Sequence, residues 1–244
     1  MIVFPMAGKS SRFAAEGFTN PKYMLPLWGK TMLHWVVKGF RFYKDSELFV
    51  FLVKDVEAYK LIDAVCSWNG IKHYSIVFIE KETRGQAETI YLGLEGWVMA
   101  NQAITIFNID TIMSPSYRLA NVADLGKNCV AFMDCFVGDG AQWSFAEIDA
   151  KHRITNVAEK FRISPFCSTG LYYFKRYSFF AEAFLASQEI QLDKGQEYYV
   201  APLLNWLIRN DCDVRMNLIE LEQIYFAGTP SEYRKLGVRP YTSV

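Results

Sequence analysis

The chain has 244 residues, of which 51% are apolar and 21% are charged. This composition supports a packed core and excludes a mostly disordered chain. Lysine plus arginine and aspartate plus glutamate each total 26, so the formal net charge is zero. The balance argues against nucleic acid and membrane surfaces as partners, because proteins that bind them normally carry a basic excess, but it leaves room for a local basic pocket.

Neither a membrane nor an oxidising compartment is indicated. No apolar run approaches the ~18–20 residues that cross a bilayer, and residues 1–5 do not resemble a signal peptide. The cysteines are dispersed without a C-x-x-C pair, a poor pattern for disulfides or zinc: Cys66, Cys129, Cys135, Cys167 and Cys212. The three histidines are equally dispersed and predict no metal or catalytic site. We expect a cytoplasmic protein with reduced thiols in its core.

The first 110 residues alternate between short apolar runs and segments with apolar residues at helical spacing. Strands are predicted at 2–4, 48–53, 75–79 and 103–107. Helices are predicted at 31–43, 56–68 and 87–99. This order predicts an α/β fold with a mostly parallel sheet and helices on both faces.

The pattern changes after Asp110. Strands are predicted at 129–133, 143–148, 171–174 and 214–219, and helices at 178–187, 197–210 and 230–236. No repeat or linker interrupts the chain. We expect one domain over residues 1–244, with a nucleotide-binding half at about 1–110 and a second-ligand half at about 111–244.

The first candidate motif, GKSSRF at residues 8–13, follows the first predicted strand. A P-loop would need glycine at Val3, and a dinucleotide fingerprint would need glycine at Ser10 and Phe13, so both interpretations fail. What remains is a short loop of backbone N–H groups, two hydroxyls and Arg12, which can wrap a triphosphate. An ordinary turn with solvated basic residues is the open alternative.

The second candidate motif is NPKYMLPLWGKTM at residues 20–32, in which Pro21 fixes the backbone just before Lys22. A small-residue loop ending in Ser-Arg-Phe, followed by Pro-Lys-x-Met-Leu-x-x-x-Gly-Lys, resembles the motif pair of the sugar nucleotidyltransferase family. That family includes sugar-1-phosphate nucleotidylyltransferases and compact cytidylyltransferases. The resemblance implies a Rossmann-like, GT-A-like nucleotide-diphospho-sugar transferase fold.

The resemblance also implies roles for the nucleotide-binding residues. Loop residues contact the triphosphate: Ala7, Gly8, Ser10 and Ser11. Arg12 binds the triphosphate together with this loop, Lys22 supports the reacting phosphates, and both are implied to be catalytic residues. The segment RGQAET at 84–89 resembles a helix start that contacts the base, through Gly85 and Gln86. Asp110, in NIDT at 108–111, matches the aspartate that holds Mg²⁺.

Later segments resemble the family's binding site for the second substrate. They are the Glu159-Lys160 pair, STGLYYF at 168–174 and GQEYY at 195–199. A further segment, YFAGTPSEY at 225–233, resembles the family's closing Asp-x-Gly-Thr-Pro-x-x-Tyr motif. The acceptor-binding residues so implied are Glu159, Lys160, Thr169, Gly170 and Glu197. A charged turn at 159–160, a surface Lys22 and a turn aspartate at Asp110 are the ordinary alternatives.

Two positions depart from the family pattern. Ser10 replaces a glycine of the first loop. Phe226 replaces the closing aspartate, a common second metal ligand. Glu220 and Glu222 would face one side of a strand, but four residues of strand span ~13 Å, so Asp110 alone is expected to hold Mg²⁺.

The expected reaction joins an NTP to a small phosphorylated acceptor and releases pyrophosphate, with a family-level expectation of surface polysaccharide precursors as products. A homo-oligomer stays open. A GT-A-type glycosyltransferase using residues 108–110 as its metal motif and a silent nucleotide-binding regulatory protein, suggested by Phe226, are the alternatives. A dehydrogenase is disfavoured by the missing glycine fingerprint.

Overall fold

The structure, a computed structural model, describes residues 1–189 and 196–237. Its strands are β1 (Ile2–Pro5), β2 (Pro26–Leu27), β3 (Lys30–Thr31), β4 (Phe49–Val53), β5 (Tyr74–Phe78), β6 (Ile104–Phe107), β7 (Thr111–Met113), β8 (Cys129–Val137), β9 (Ser144–Ile148), β10 (Ile154–Glu159), β11 (Phe166–Phe174), β12 (Asp213–Leu218) and β13 (Ile224–Phe226). Its α-helices are α1 (Ser11–Ala15), α2 (Met32–Lys38), α3 (Glu57–Asn69), α4 (Gln86–Leu94), α5 (Val122–Leu125), α6 (Tyr177–Gln188), α7 (Leu204–Arg209) and α8 (Pro230–Gly237).

Two compact units interleave along the chain. The parallel unit comprises Ile2–Phe78, Asn108–Arg118 and the described part of 222–244. The antiparallel unit comprises Met1, Ile79–Phe107 and Leu119–Leu221. The single domain with two ligand-binding halves stays a prediction.

In the parallel unit, β1 pairs with β4 and β4 with β5, both in parallel register. All residues of β1 and β4 are buried, as expected for continuous apolar strands of a parallel sheet. The predicted β-α-β-α-β order is confirmed here, with α2 and α3 between the strands. The helix predicted at 31–43 ends at Lys38, and a 3-10 turn follows at Arg41–Tyr43.

An antiparallel ribbon ties two distant segments of the parallel unit together. Strand β7, which the sequence analysis missed, pairs with β13, and Thr111 lies opposite Phe226. Helix α8 begins after a short connection, with Pro230 as its first residue, where a missing N–H costs nothing. The ribbon thereby holds the closing motif against the segment that follows Asp110.

The antiparallel unit contains the strand order β10-β9-β11-β6. Strand β8 also pairs with β11, and β12 runs parallel to β8. β10 was not predicted as a strand, because only Ile154 and Val157 of its six residues are buried. The register of β11 against β8 shifts between Ser168 and Tyr172, around Gly170 with φ +90°.

Two sequence expectations were wrong. The helix predicted at 197–210 starts later, as a 3-10 turn at Ala201–Leu203 that continues into α7, so Glu197 precedes it. The strand assumed at Glu220 and Glu222 is absent from the described chain, where a 3-10 turn spans Leu221–Gln223. All five cysteines are free thiols, four of them buried. No helix in the described ranges is long and apolar enough for a membrane span.

Candidate active site

An ion pair joins two predicted site residues of the parallel unit. The ammonium Nζ of Lys22 donates to Oδ2 of Asp110 over 2.7 Å. Both side chains are partly exposed, at 21% and 23%. Lys22 opens a 3-10 turn directly after Pro21, and Asp110 directly precedes β7. The fold therefore brings a cation and a carboxylate within hydrogen-bond distance at a position that solvent reaches.

The first loop is attached to Lys22 through Ser10. Ser10 has φ 50°, a left-handed backbone conformation that favours glycine. The serine at this position therefore carries some backbone strain. Its hydroxyl accepts a hydrogen bond from the backbone N–H of Lys22 over 3.3 Å. Of the other predicted loop residues, Ala7 is half-buried and three are exposed: Gly8, Ser11 and Arg12.

The closing motif packs directly on Asp110. The N–H of Ala227 donates to the Asp110 carbonyl oxygen over 2.8 Å. A Cβ on Gly228 would lie 3.3 Å from Oδ2 of Asp110 and 3.6 Å from Oε2 of Glu232. Two carboxylates thus border Gly228, and the sequence analysis missed Glu232.

Glu232 had a readable local signal. Thr229 N–H donates to Oε2 of Glu232 over 2.9 Å, and Glu232 N–H donates to Oγ1 of Thr229 over 3.2 Å. This reciprocal pair is a capping box at the start of α8, which the spacing Thr-x-x-Glu predicts.

The oxygen groups around Asp110 fit Mg²⁺ held in part by phosphates. Mg²⁺ in nucleotide sites uses one or two carboxylates and keeps waters and substrate oxygens as its other ligands. Within 1–189 and 196–237, no group of three or more His, Cys, Asp or Glu residues could form a protein cage. The buried Oδ1 of Asn108, two residues before Asp110, has no hydrogen-bond partner. Asp110, with its partly exposed carboxylate, is the residue suited to the metal.

In the antiparallel unit, Gly85 is fixed by a close backbone approach. Its φ is +123°, and a Cβ would come within 2.7 Å of both N and O of Tyr198. Tyr198 N–H donates to the Arg84 oxygen over 2.6 Å, and Ala87 N–H donates to the Tyr198 oxygen over 2.9 Å. Only glycine fits this contact. Gln86, the first residue of α4, is half-buried beside it.

Glu159 is the last residue of β10, and Lys160 lies in the bend that follows. Lys160 has φ 54°, and its ammonium donates to the Tyr199 hydroxyl and lies 4.4 Å from the Tyr199 ring centroid. Its Nζ is 4.0 Å from Oε1 of Glu159, whose side chain is 16% exposed. Tyr199, the partner of Lys160, was not predicted from the sequence.

Opposing influences act on the Glu159 carboxyl. Burial raises its pKa, and the neighbouring Glu197 carboxylate adds to that rise. The Ser144 hydroxyl, which donates to Oε2, and the Lys160 ammonium lower it. Burial prevails, so the pKa of Glu159 stands above its ordinary value.

The remaining predicted acceptor residues lie in different surroundings. Glu197 is exposed, and its Cβ would be 3.1 Å from a Cβ on Gly85. The predicted acceptor residue Glu197 therefore borders the predicted base loop. Thr169 and Gly170 are buried in the irregular part of β11, where Thr169 is 1% exposed. Gly195, which belongs to the same GQEYY motif as Glu197, lies outside the described residues.

Solved structures resemble the whole chain. A nucleoside-diphosphate-sugar pyrophosphorylase from Vibrio cholerae RC9 has a TM-score of 0.90 and 36% identity, covering 98% of this chain and 100% of its own. The inositol-1-phosphate CTP transferase from T. maritima has a TM-score of 0.72 and 14% identity, covering 96% and 93%. An apo UDP-glucose pyrophosphorylase has a TM-score of 0.74 and 15% identity, covering 97% and 96%.

The two more distant structures support the fold alone, and they confirm the predicted Rossmann-like class. No protein-family model and no curated protein matches the chain. The Vibrio cholerae structure is 36% identical in sequence over 98% of this chain and 100% of its own. On that identity and coverage, the chain belongs to the sugar nucleotidyltransferase family.

Proposed function

We propose that this nucleotidyltransferase joins an NTP to a small phosphorylated acceptor, a sugar-1-phosphate or a similar compound, and releases pyrophosphate. The observation that carries the proposal is the Lys22–Asp110 pair beside the first loop. A phosphate oxygen of the acceptor attacks the α-phosphorus of the NTP as the bond to the pyrophosphate oxygen breaks. This step needs in-line positioning and charge neutralisation rather than a protein nucleophile.

The residues divide by the charge and the hydrogen bonds that they offer. The first loop, through Ala7, Gly8, Ser10 and Ser11, binds the triphosphate with backbone N–H groups and hydroxyls. Arg12 and Lys22 neutralise the reacting phosphates. Gly85 and Gln86 bind the base, since a side-chain amide both donates and accepts hydrogen bonds. Lys160 binds the acceptor phosphate, and the acceptor's polar groups contact four further residues: Glu159, Thr169, Gly170 and Glu197.

Asp110 would hold Mg²⁺, which supplies charge neutralisation to the triphosphate when it is bound. The Lys22 ammonium donates to Oδ2 of Asp110. When that oxygen binds a metal ion instead, the ammonium is released and can contact the phosphates. Gly228 packs closely against Oδ2 of Asp110 and so fixes the position of the Asp110 carboxylate.

The name of the Vibrio cholerae relative, a nucleoside-diphosphate-sugar pyrophosphorylase, supports a sugar phosphate as the acceptor. We extend this to a cytoplasmic role in making precursors of surface polysaccharides.

A matrix of NTPs against phosphorylated acceptors, read by pyrophosphate release, tests the proposal. We expect one nucleotide–acceptor combination to dominate, with release lost in Asp110→Asn. Sugar transfer from a nucleotide sugar without pyrophosphate would instead identify a glycosyltransferase. NTP binding without turnover of any acceptor would identify a regulatory protein.

A further inference from the structure

Two neighbouring residues of the GQEYY segment, Tyr198 and Tyr199, contact two different predicted binding sites. The backbone of Tyr198 joins the segment predicted to bind the base. Its N–H donates to the Arg84 oxygen over 2.6 Å, and its oxygen accepts from the Ala87 N–H over 2.9 Å. The side chain of Tyr199 joins the predicted acceptor site, because its hydroxyl accepts a hydrogen bond from the Lys160 ammonium.

Tyr198 is anchored on several sides, which limits the freedom of the residue that follows it. It is 8% exposed, and its ring packs edge-on against Phe184 at a centroid distance of 5.5 Å. The Arg84 guanidinium lies 5.2 Å from the same ring. Gly85 approaches so closely that a Cβ there would lie 2.7 Å from both N and O of Tyr198. Tyr199 is therefore held in place by its neighbour, although neither tyrosine belongs to a helix or strand.

The Lys160 side chain needs a partner to hold it, because it is long and 44% exposed. Its backbone is fixed, since the Lys160 N–H donates to the Trp143 oxygen over 2.9 Å. The four-carbon side chain beyond that point has many rotamers, and ordering them costs binding free energy. Oε1 of Glu159 is 4.0 Å from Nζ, beyond hydrogen-bond distance, so the Tyr199 hydroxyl is the group that holds the ammonium.

The bond to Tyr199 is compatible with a phosphate on the same ammonium. A lysine ammonium has three N–H donors, and the hydroxyl takes one of them. A hydrogen bond to Tyr199 and another to a phosphate oxygen can therefore coexist.

We propose that Tyr199 is a positioning residue for acceptor binding. Its hydroxyl orders the Lys160 ammonium before the acceptor arrives, and the anchored Tyr198 fixes that hydroxyl relative to the base-binding segment. The charge that neutralises the acceptor phosphate is thus prearranged, which removes an ordering cost from acceptor binding. The proposal rests on the acceptor role given to Lys160 in the proposed function.

The order of the Lys160 side chain is measured without substrate by NMR on protein labelled with [¹³C]lysine, with its signal assigned by loss in Lys160→Ala. The two Hε protons of an ordered lysine give separate signals, whereas free rotation makes them coincide. We expect separate signals in the wild type and coincident ones in Tyr199→Phe, which keeps the ring and removes the hydroxyl. Inorganic phosphate, titrated against the same signals, should bind about fivefold more weakly to Tyr199→Phe.

Kinetics distinguish positioning from a merely structural role. In Tyr199→Phe, the KM for the sugar-1-phosphate that the matrix of substrates selects should rise about fivefold, with kcat and the KM for the NTP within about twofold of the wild type. Lys160→Ala removes the group on which Tyr199 acts, so adding Tyr199→Phe to it should change the acceptor KM no further. Effects that multiply in the double variant would show that Tyr199 acts independently of Lys160, which contradicts the proposal.

Tyr74→Phe is the matched control, because the Tyr74 hydroxyl on β5 also bonds a charged side chain, the Asp63 carboxylate, over 2.9 Å. We expect it to leave the Lys160 signals, phosphate binding and the acceptor KM unchanged. Coincident signals in the wild type, or separate ones in Tyr199→Phe, overturn the proposal.

An acceptor KM that is unchanged or lowered in Tyr199→Phe overturns the proposal too, since a lowered value would mean that the hydroxyl competes with the acceptor. The NMR measurements need no turnover. Failure of the positioning contact is therefore distinguished from failure of the proposed function, which shows as absent pyrophosphate release by the wild type.

Discussion

The ammonium of Lys22 is bonded to the Asp110 oxygen, Oδ2, that borders the closing motif. The two residues are 88 positions apart in the chain. Because the pair is partly exposed, it contributes little to stability, and its significance lies in the charges it brings together. Lys22 and a metal ion would therefore compete for one carboxylate.

Removal of the lysine charge tests its role in catalysis. We expect Lys22→Ala to lower kcat/KM roughly 10²-fold or more, since one preorganised contact to developing charge is worth about 2.7–4 kcal/mol. The melting temperature should hardly change. Pyrophosphate release and thermal unfolding measure the two effects. Lys60→Ala, an exposed lysine on α3, is the control, and near-normal turnover in Lys22→Ala would make Lys22 an ordinary surface residue.

Competition for Asp110 predicts the direction of a metal-binding change. Without nucleotide, Lys22→Ala should bind Mg²⁺ roughly fivefold more tightly, given the weak free energy of an exposed ion pair. Isothermal titration measures this. Asp110→Asn should abolish the gain, and Glu222→Gln should match the wild type. Loss of turnover in Glu222→Gln, with Asp110→Asn still active, would move the metal away from Asp110.

A methyl group on Gly228 would press on the same carboxylate. The added Cβ would lie 3.3 Å from Oδ2 of Asp110, so the carboxylate has to move by a few tenths of an ångström. We expect Gly228→Ala to lower kcat/KM roughly tenfold, because small misplacements of reacting groups are costly. Gly237→Ala, where a Cβ meets nothing within 4 Å, is the control. Equal activity of both variants would contradict the tight packing.

Two residues of the antiparallel unit should each affect the binding of a different substrate, Gln86 that of the nucleotide and Lys160 that of the acceptor. Gln86→Ala should change discrimination among nucleobases, and Lys160→Ala should raise the KM for the acceptor. Steady-state kinetics with each substrate varied in turn measures both. If the two variants changed only the same substrate's KM, the division would be wrong.

His34 should make the free energy of unfolding depend on pH in the acid range. It is 6% exposed on α2, and burial, with Lys38 and Lys30 nearby, lowers its pKa to about 4. The unfolded chain therefore binds a proton below pH 6.5 that the folded chain refuses until about pH 4. Stability falls by roughly 3 kcal/mol across that window.

Urea unfolding at pH 4 to 7 measures this change in the free energy of unfolding. His34→Gln should flatten that part of the pH profile, whereas the exposed His73→Gln should leave it as in the wild type. An equally steep profile in His34→Gln would assign the acid sensitivity to other groups.

The sequence alone determined the features that depend on neighbours in the chain. Continuous apolar runs fixed β1 and β4 as buried strands, and the Pro-Lys motif after a small-residue loop indicated the family. The element boundaries moved where local signals were mixed. Strand β10 was missed because only two of its six residues are buried, at a spacing of three. The 3-10 turn that leads into α7 begins at Ala201, which leaves Glu197 outside a helix.

Only the tertiary structure decided which side chains meet. Lys22 and Asp110 belong to motifs that the sequence identifies separately, and their contact depends on how the chain returns in space. Ser144 is 15 residues from Glu159, with no local pattern linking them, yet strand pairing puts its hydroxyl on that carboxylate. Local propensity acts over a few residues, whereas such contacts are set by register between strands, which a single sequence leaves open.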